Sequence, residues 1–222
     1  MQKKILIIAP HPDDEVLGCG GTVSKFAKQG DLVYILIVTR GNPAIYPESR
    51  IVNVREEALA AHKLLGVKDT RFFDFYAPDL DMASLSEIST AIASHIKELK
   101  IDILFLPHRG DIHNDHRVVF NAGLVAARPV GNYTVKEIYT YETLSETEWA
   151  APFGDDAFIP NHFVDVTTHF VAKLEAMECF KSQLKAFPNP RSKEGLTALA
   201  SFRGATVGLM RAEAFMTIRT IV

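Results

Sequence analysis

The residues Pro10-His11-Pro12-Asp13-Asp14-Glu15 place one imidazole and three carboxylates in a single turn, directly after the apolar run Ile5-Leu6-Ile7-Ile8-Ala9. Burying unpaired charge is costly, so acids this close together surround a cation or share a proton. A second cluster, Asp111-Ile112-His113-Asn114-Asp115-His116, follows another apolar run at 101–106. Two such loops can supply His and Asp ligands to a metal together with a carboxylate base. His11 and Asp14 are three apart on a turn, a spacing that directs both at one ion, and His116 completes a two-His, one-carboxylate set. Three protein ligands leave positions open for water and substrate, as in catalytic zinc sites, whereas structural sites close with four and favour Cys. Non-haem iron(II) uses the same ligand types, so ligand type alone does not separate Zn2+ from Fe2+.

Asp13, beside Asp14, is placed to take a proton from water activated by the metal; zinc brings the pKa of such water to about 7. His113 lies three residues before His116. It either stabilises an oxyanion as a cation or protonates a leaving amine, and Asp115 is expected to orient its ring. Together these parts describe metal-assisted hydrolysis of an amide or ester. A blander reading makes the acids helix caps, since Asp13 and Asp14 precede a helix start where negative charge is favourable. Capping accounts for one acid. It does not account for a His and three acids echoed by a second His/Asp cluster. Glu15 is assigned a structural hydrogen bond behind the ligands. His62, His95, His162 and His169 are read as half-exposed polar residues, and His108 as a candidate for the pocket wall from its place at a strand end.

These loops must be carried by strands that end side by side. Apolar runs predict strands at 5–9, 32–39, 71–74, 101–106, 135–141 and 162–166. Helical spacing predicts helices at 15–29, 50–65, 84–99 and 115–127, and a long amphipathic one at 168–186 that breaks at Pro188 and Pro190. Gly66 stops the second helix, and Ser84 with Glu87 suggests a capping box for the third. The alternation predicts a single domain over 1–222, a Rossmann-like three-layer α/β/α fold with a mainly parallel sheet. Both clusters then lie past the carboxyl ends of strands, where open α/β sheets put their ligands. The longest loops are 145–161 and 41–49; loops of this kind carry specificity, and 145–161 either closes over the substrate or meets a neighbouring subunit. In Gly18-Cys19-Gly20-Gly21 the G-x-G-x-x-G spacing fails because Val23 stands at the third glycine. Close packing of a helix on the sheet is the better account of these glycines. There is no G-x-S-x-G elbow and no P-loop.

At 222 residues, 47% hydrophobic and 23% charged, the composition is that of an ordinary globular chain with a sizeable core. The net charge is -3 with Lys and Arg scattered, which argues against nucleic acid as a partner. Cys19 and Cys179 form no C-x-x-C pair and read as free thiols of a reducing cytosol. The apolar run after the charged start is too short for a signal peptide, and no segment has the length of a transmembrane helix. A cytoplasmic protein is expected. Homo-oligomerisation is left open, because nothing in the sequence marks an interface.

The two clusters resemble the motifs of the PIG-L/LmbE-like family of zinc-dependent N-acetylglucosaminyl de-N-acetylases. The family's A-H-P-D-D-E is matched by Ala9-Pro10-His11-Pro12-Asp13-Asp14-Glu15, with Pro10 in place of the alanine next to His11. Its H-x-D-H is matched by His113-Asn114-Asp115-His116, with Asn114 where proline is frequent. Neither departure touches a chemical group. The similarity extends through Arg55-Glu56-Glu57-Ala58 to Leu65-Gly66-Val67 and to the tail Ala212-Glu213-Ala214-Phe215.

The resemblance implies that His11, Asp14 and His116 hold zinc, Asp13 is the general base, and His113 with Asp115 assists the tetrahedral intermediate. Family members act on N-acetylglucosamine carried on phosphatidylinositol, inositol, malate or oligosaccharides, so the implied partner is a small N-acetyl sugar conjugate. Where the family often has Asp-Gly after the second strand, this chain has Arg40-Gly41. Arg40, or Arg50 or Arg55 beyond it, is expected to meet an anionic part of the substrate, since guanidinium groups bind phosphate and carboxylate bidentately. The alternatives are hydrolysis of another small amide or ester, or a non-catalytic metal- or sugar-binding protein. The presence of Asp13 and His113 beside the ligands argues against a mere binder.

Overall fold

The computed structural model describes residues 2–222. Strands β1 (Lys4–Ala9), β2 (Leu32–Gly41), β3 (Asp69–Ala77), β4 (Ile103–Pro107), β5 (Glu137–Tyr141), β6 (His162–Asp165) and β7 (Ala212–Thr220) form one sheet in the order β3-β2-β1-β4-β5-β7-β6. The first five are parallel to one another, and β7 lies antiparallel between β5 and β6. Helices α1 (Asp14–Lys28), α2 (Glu48–Leu65), α3 (Leu85–Leu99), α4 (Asn114–Ala126), α5 (Phe170–Cys179) and α6 (Lys193–Ala205) cover the two faces.

Side chains alternate across each strand. Ile5, Ile7 and Ala9 meet Val16 and Leu17 of α1, Ala58 and Leu65 of α2, and Phe170 and Met177 of α5 on one face. Leu6 and Ile8 meet Ile88 and Ile92 of α3 and Val119 and Phe120 of α4 on the other. A sheet covered on both faces needs continuous apolar strands, which is why β1, β2 and β4 read as uninterrupted runs. The three-layer α/β/α architecture follows.

β1 and β4 are neighbours, with Ile5 opposite Ile103 and Ile7 opposite Phe105. From β1 the chain winds through β2 to β3 on one side, and from β4 to β5 on the other. The loops after β1 and β4 therefore open into the crevice where strand order reverses, and these are the loops that carry the two clusters. α1 comes close to the layers beneath it, as the glycines require. A Cβ on Gly18 would overlap the Tyr141 ring, and one on Gly21 would lie 2.8 Å from Val166 Cβ.

The carboxyl-terminal third departs from expectation. α5 stops at Cys179, well short of Ala186. Phe180 turns into the core, and the Ser182 N–H and hydroxyl donate to the Glu57 carboxylate at 3.1 and 2.6 Å, drawing the chain out of helical geometry. α6 and β7 had no counterpart among the expected elements. Ser192 starts α6 by accepting the Gly195 N–H at 3.0 Å, while Gly195 and Gly204 interrupt the periodicity by which the helix would be recognised. β3 runs beyond 71–74 because β2 extends to Gly41 and pairs with it as far as Ala77. Ser84 stands at the start of α3 without a capping bond; its hydroxyl meets Ser86 instead, so the capping box does not form.

β7 brings Glu213 into the interior. Its carboxylate accepts the N–H groups of Gly21 and Thr22 at 2.9 and 2.7 Å and pairs with Lys173 Nζ at 2.6 Å. Removing one partner leaves the other charge buried, which typically costs about 3–5 kcal/mol. Glu213→Ala is accordingly expected to lower the urea midpoint strongly at unchanged slope; an unchanged midpoint would show that the pair does not support the fold. Among the described residues, no helix is long and apolar enough to cross a membrane.

Candidate metal centre

The loop after β1 is pinned by its neighbour strand: Thr39 donates to the Pro10 carbonyl through both N–H and hydroxyl, at 3.1 and 2.8 Å. Asp13 sits at the N-cap of α1 yet makes no side-chain capping bond, so its carboxylate is not spent on the helix end. The second loop enters α4 through His113, whose ring accepts the Asp115 N–H at 3.2 Å.

His11, Asp14 and His116 converge. One donor atom from each lies within 4.8 Å of the other two. Asp14 Oδ2 stands 3.2 Å from His11 Nδ1 and 3.3 Å from His116 Nε2. His116 Nε2 and Asp14 Oδ1 are buried without a hydrogen-bond partner. Orphaned buried polar atoms on two adjacent residues fit a cation that both residues would ligate. Each histidine uses its other nitrogen on a carboxylate: His11 Nε2 meets Asp115 Oδ2 at 3.0 Å, and His116 Nδ1 meets Asp111 Oδ2 at 2.8 Å. Such carboxylate partners fix the ring and raise the basicity of a ligating histidine. A second group, His11, His113 and Asp115, also comes within the same span. Its atoms are already engaged, because Asp115 accepts from His11 and from the Leu80 N–H, and His113 Nδ1 from Asp115. The first set is therefore the better ligand set.

The electrostatics agree. Burial disfavours a charged His11, but the bonds to Asp115 and Asp14 outweigh it and lift its pKa to about 9. Burial likewise opposes charge on His116, and Asp14 and Asp111 carry it well above the ordinary value. Burial raises Asp14, yet the two histidines win and hold it well below the usual carboxylate range. The pocket favours positive charge where the three residues meet.

Asp13 behaves differently. Burial pushes it up to about 8, with Arg191 opposing and Asp14 and Glu15 adding to the rise. That is the range in which a group exchanges protons near neutral pH. His113 is pushed down to about 4 by burial and by the neighbouring His11, whose ring centroid is 4.5 Å away. Burial and the neighbouring His11 thus favour an uncharged His113. Since its Nδ1 accepts the Asp115 N–H, its Nε2 carries the proton. The orientation expected from Asp115 is corrected: the Asp115 carboxylate holds His11, lies 4.0 Å from His113 Nδ1, and reaches that ring only through its backbone N–H.

A cleft of about 210 Å³ opens over these groups. His11, Asp13 and His113 lie at it, with Tyr46, Ile51 and Pro78 among its apolar walls. Of the three arginines singled out from the sequence, Arg50 lines the cleft, its guanidinium 5.1 Å from the centre of the Tyr46 ring. Arg40 is held by both oxygens of Glu48 at 2.9 Å, and Arg55 by Asp74 and the Phe73 carbonyl at 2.8 and 2.7 Å. Neither lines the cleft, which corrects their expected place. His108 bonds the Asp156 carbonyl at 2.9 Å, outside the cleft wall.

Sequence reasoning missed Arg191 and Glu146. Arg191 Nη1 lies 3.1 Å from Asp13 Oδ2, its Nη2 donates to Glu146 at 3.2 Å, and its Nε to the Ser145 hydroxyl at 2.6 Å. The start of the 145–161 loop thus walls the cleft. Asp111, read only as part of a cluster, carries His116 and also accepts the Thr147 hydroxyl at 2.6 Å.

Comparison with known proteins gives the same direction. Residues 6–127, more than half of the chain, match the family model PIG-L, described as GlcNAc-PI de-N-acetylase. The uncharacterized deacetylase YaiS of Escherichia coli (strain K12) is 32% identical over 187 residues, spanning 82% of this chain and 92% of that protein. The diacetylchitobiose deacetylase of Thermococcus kodakarensis is 30% identical over 192 residues, spanning 82% and 70% respectively. The structure also resembles GalB, the 4-carboxy-2-hydroxymuconate hydratase from Pseudomonas putida KT2440, at TM-score 0.79 and 20% identity over 100% of this chain and 98% of that one. That is a likeness of fold alone, and it shows that the fold does not choose the reaction. The choice rests on the family match, the sequence relatives and the two motif loops: the chain belongs to the PIG-L family and is an N-deacetylase.

Proposed function

We propose that the protein removes the acetyl group from a small N-acetylated sugar conjugate, with zinc held by His11, Asp14 and His116. The observation that carries this reading is the convergence of His11, Asp14 and His116, with His116 Nε2 and Asp14 Oδ1 buried and unpartnered, beside a cleft lined by His11, Asp13 and His113. A bound zinc supplies Lewis acidity toward the acetamide carbonyl and makes water a stronger acid. Asp13 takes the proton from the attacking water as its oxygen bonds to the carbonyl carbon. Arg191 steadies the Asp13 carboxylate, and His113 donates Nε2–H to the carbonyl oxygen as charge develops there. The proton then passes from Asp13 to the nitrogen as the C–N bond breaks, releasing the free amine and acetate.

The substrate class follows from relatives that act on N-acetylated sugars, among them a diacetylchitobiose deacetylase. A cytoplasmic setting agrees with two unpaired cysteines. Supplying the zinc-loaded protein with N,N′-diacetylchitobiose, N-acetylglucosamine and an acetyl ester side by side tests the bond cleaved. Acetate from the amides is expected, and release from the ester alone would overturn the reading.

Arg50 is the arginine placed to meet an anionic aglycone. Loss of a charged hydrogen bond weakens binding by roughly tenfold. Arg50→Ala should therefore raise KM about tenfold for a phosphate- or carboxylate-bearing conjugate and leave a neutral one unaffected. Equal KM values for the charged conjugate would remove Arg50 from the site.

A further inference from the structure

Asp13 has φ 112° and ψ -28°, in the left-handed region that side chains other than glycine rarely enter. Such a conformation persists only where the surroundings over-determine it. Its N–H donates to Glu15 Oε2 at 3.1 Å. The other Glu15 oxygen meets His62 Nε2 at 2.9 Å, and His62 Nδ1 meets the Thr70 hydroxyl at 2.9 Å. Asp13, Glu15 and His62 are 2%, 0% and 2% exposed. The chain of bonds runs from β3 through α2 to the first turn of α1 and ends on the peptide of the residue read as the base. Neither Glu15 nor His62 lines the cleft. The His62 ring, held at its other nitrogen by Thr70, fixes the Glu15 carboxyl through this bond.

We infer that Glu15 and His62 are positioning residues for the reaction: they hold the Asp13 peptide in its left-handed turn and so aim the Asp13 carboxylate into the cleft. This rests on the reading of Asp13 as the general base. A pair that merely filled the core would affect stability and leave the geometry of one catalytic carboxylate alone. A misplacement near 1 Å costs about 10²-fold in rate, so a positioning role shows in kcat.

The test uses His62→Ala, His62→Gln and Asp13→Asn, with N,N′-diacetylchitobiose as probe. His62→Ala should keep its zinc and its KM and lose about 10- to 100-fold in kcat. His62→Gln keeps a donor toward Glu15 and should recover most of that loss. In the Asp13→Asn background, His62→Ala should have no further effect, because the group it positions is gone. The Asp13 amide should exchange with solvent faster in His62→Ala than in the unaltered protein, measured by NMR without added metal. An unchanged kcat, an equal loss in both backgrounds or an unaltered amide exchange would overturn the inference. If the unaltered protein releases no acetate from the probe, the fault lies with the proposed reaction, and amide exchange alone decides the positioning role. If His62→Ala does not fold, Thr70→Val loosens the same chain and is judged by the same measurements.

Discussion

His116→Ala is expected to abolish zinc binding and acetate release together, in a protein that remains folded. His116 is fully buried, its Nε2 is unpartnered and faces Asp14, and its Nδ1 is fixed by Asp111. Deleting it removes one of three ligands and leaves the Asp111 and Asp14 carboxylates facing an empty volume. His11→Ala should behave alike, for it removes the donor beside Asp14 and takes the partner from Asp115 Oδ2. Loss of a carboxylate behind a ligand is milder, typically 10- to 100-fold in metal affinity, so Asp111→Asn should bind zinc weakly and regain activity at high zinc. Plasma emission on dialysed variants reads the outcome. Full zinc occupancy in His116→Ala would refute the ligand set.

Asp13→Asn separates metal binding from proton transfer. Zinc content should stay near that of the unaltered protein, because Asp13 is outside the proposed ligand set. Turnover should fall about 10²- to 10⁴-fold, the usual contribution of a general acid–base group. The amide is nearly isosteric and preserves contacts in the cleft, so KM should change little. Near-normal turnover would move the base elsewhere, with Glu146 the first candidate, since it faces the same cleft and bonds the same arginine.

Much of this was legible in the sequence because the informative residues are local. The runs ending at Ala9 and Pro107 are strands buried on both faces, and His11 to Asp14 and Asp111 to His116 follow them directly, so pattern and topology together imply one crevice. What was not legible is long-range. Arg191 reaches Asp13 across 178 positions, and nothing in its own neighbourhood, between Pro190 and Ser192, announces that partner. Glu213 is buried through contacts with Gly21, Thr22 and Lys173, all distant in sequence. His62 belongs to the helical face of α2 that also carries Ala58, Ala61 and Leu65 inward, and that periodicity, set against Glu15, was the available signal. Arg40 and Arg55 illustrate the converse: surface charges of the right type find nearer partners in Glu48 and Asp74.

The most direct measurement is metal content and acetate release on the same purified sample. The protein is prepared without added metal, analysed for zinc and iron, and assayed on a panel of N-acetylglucosamine conjugates before and after chelation. Near one zinc per chain, with acetate release that chelation abolishes and zinc restores, is the expected result. Undiminished acetate release from fully chelated protein would contradict a metal centre at His11, Asp14 and His116.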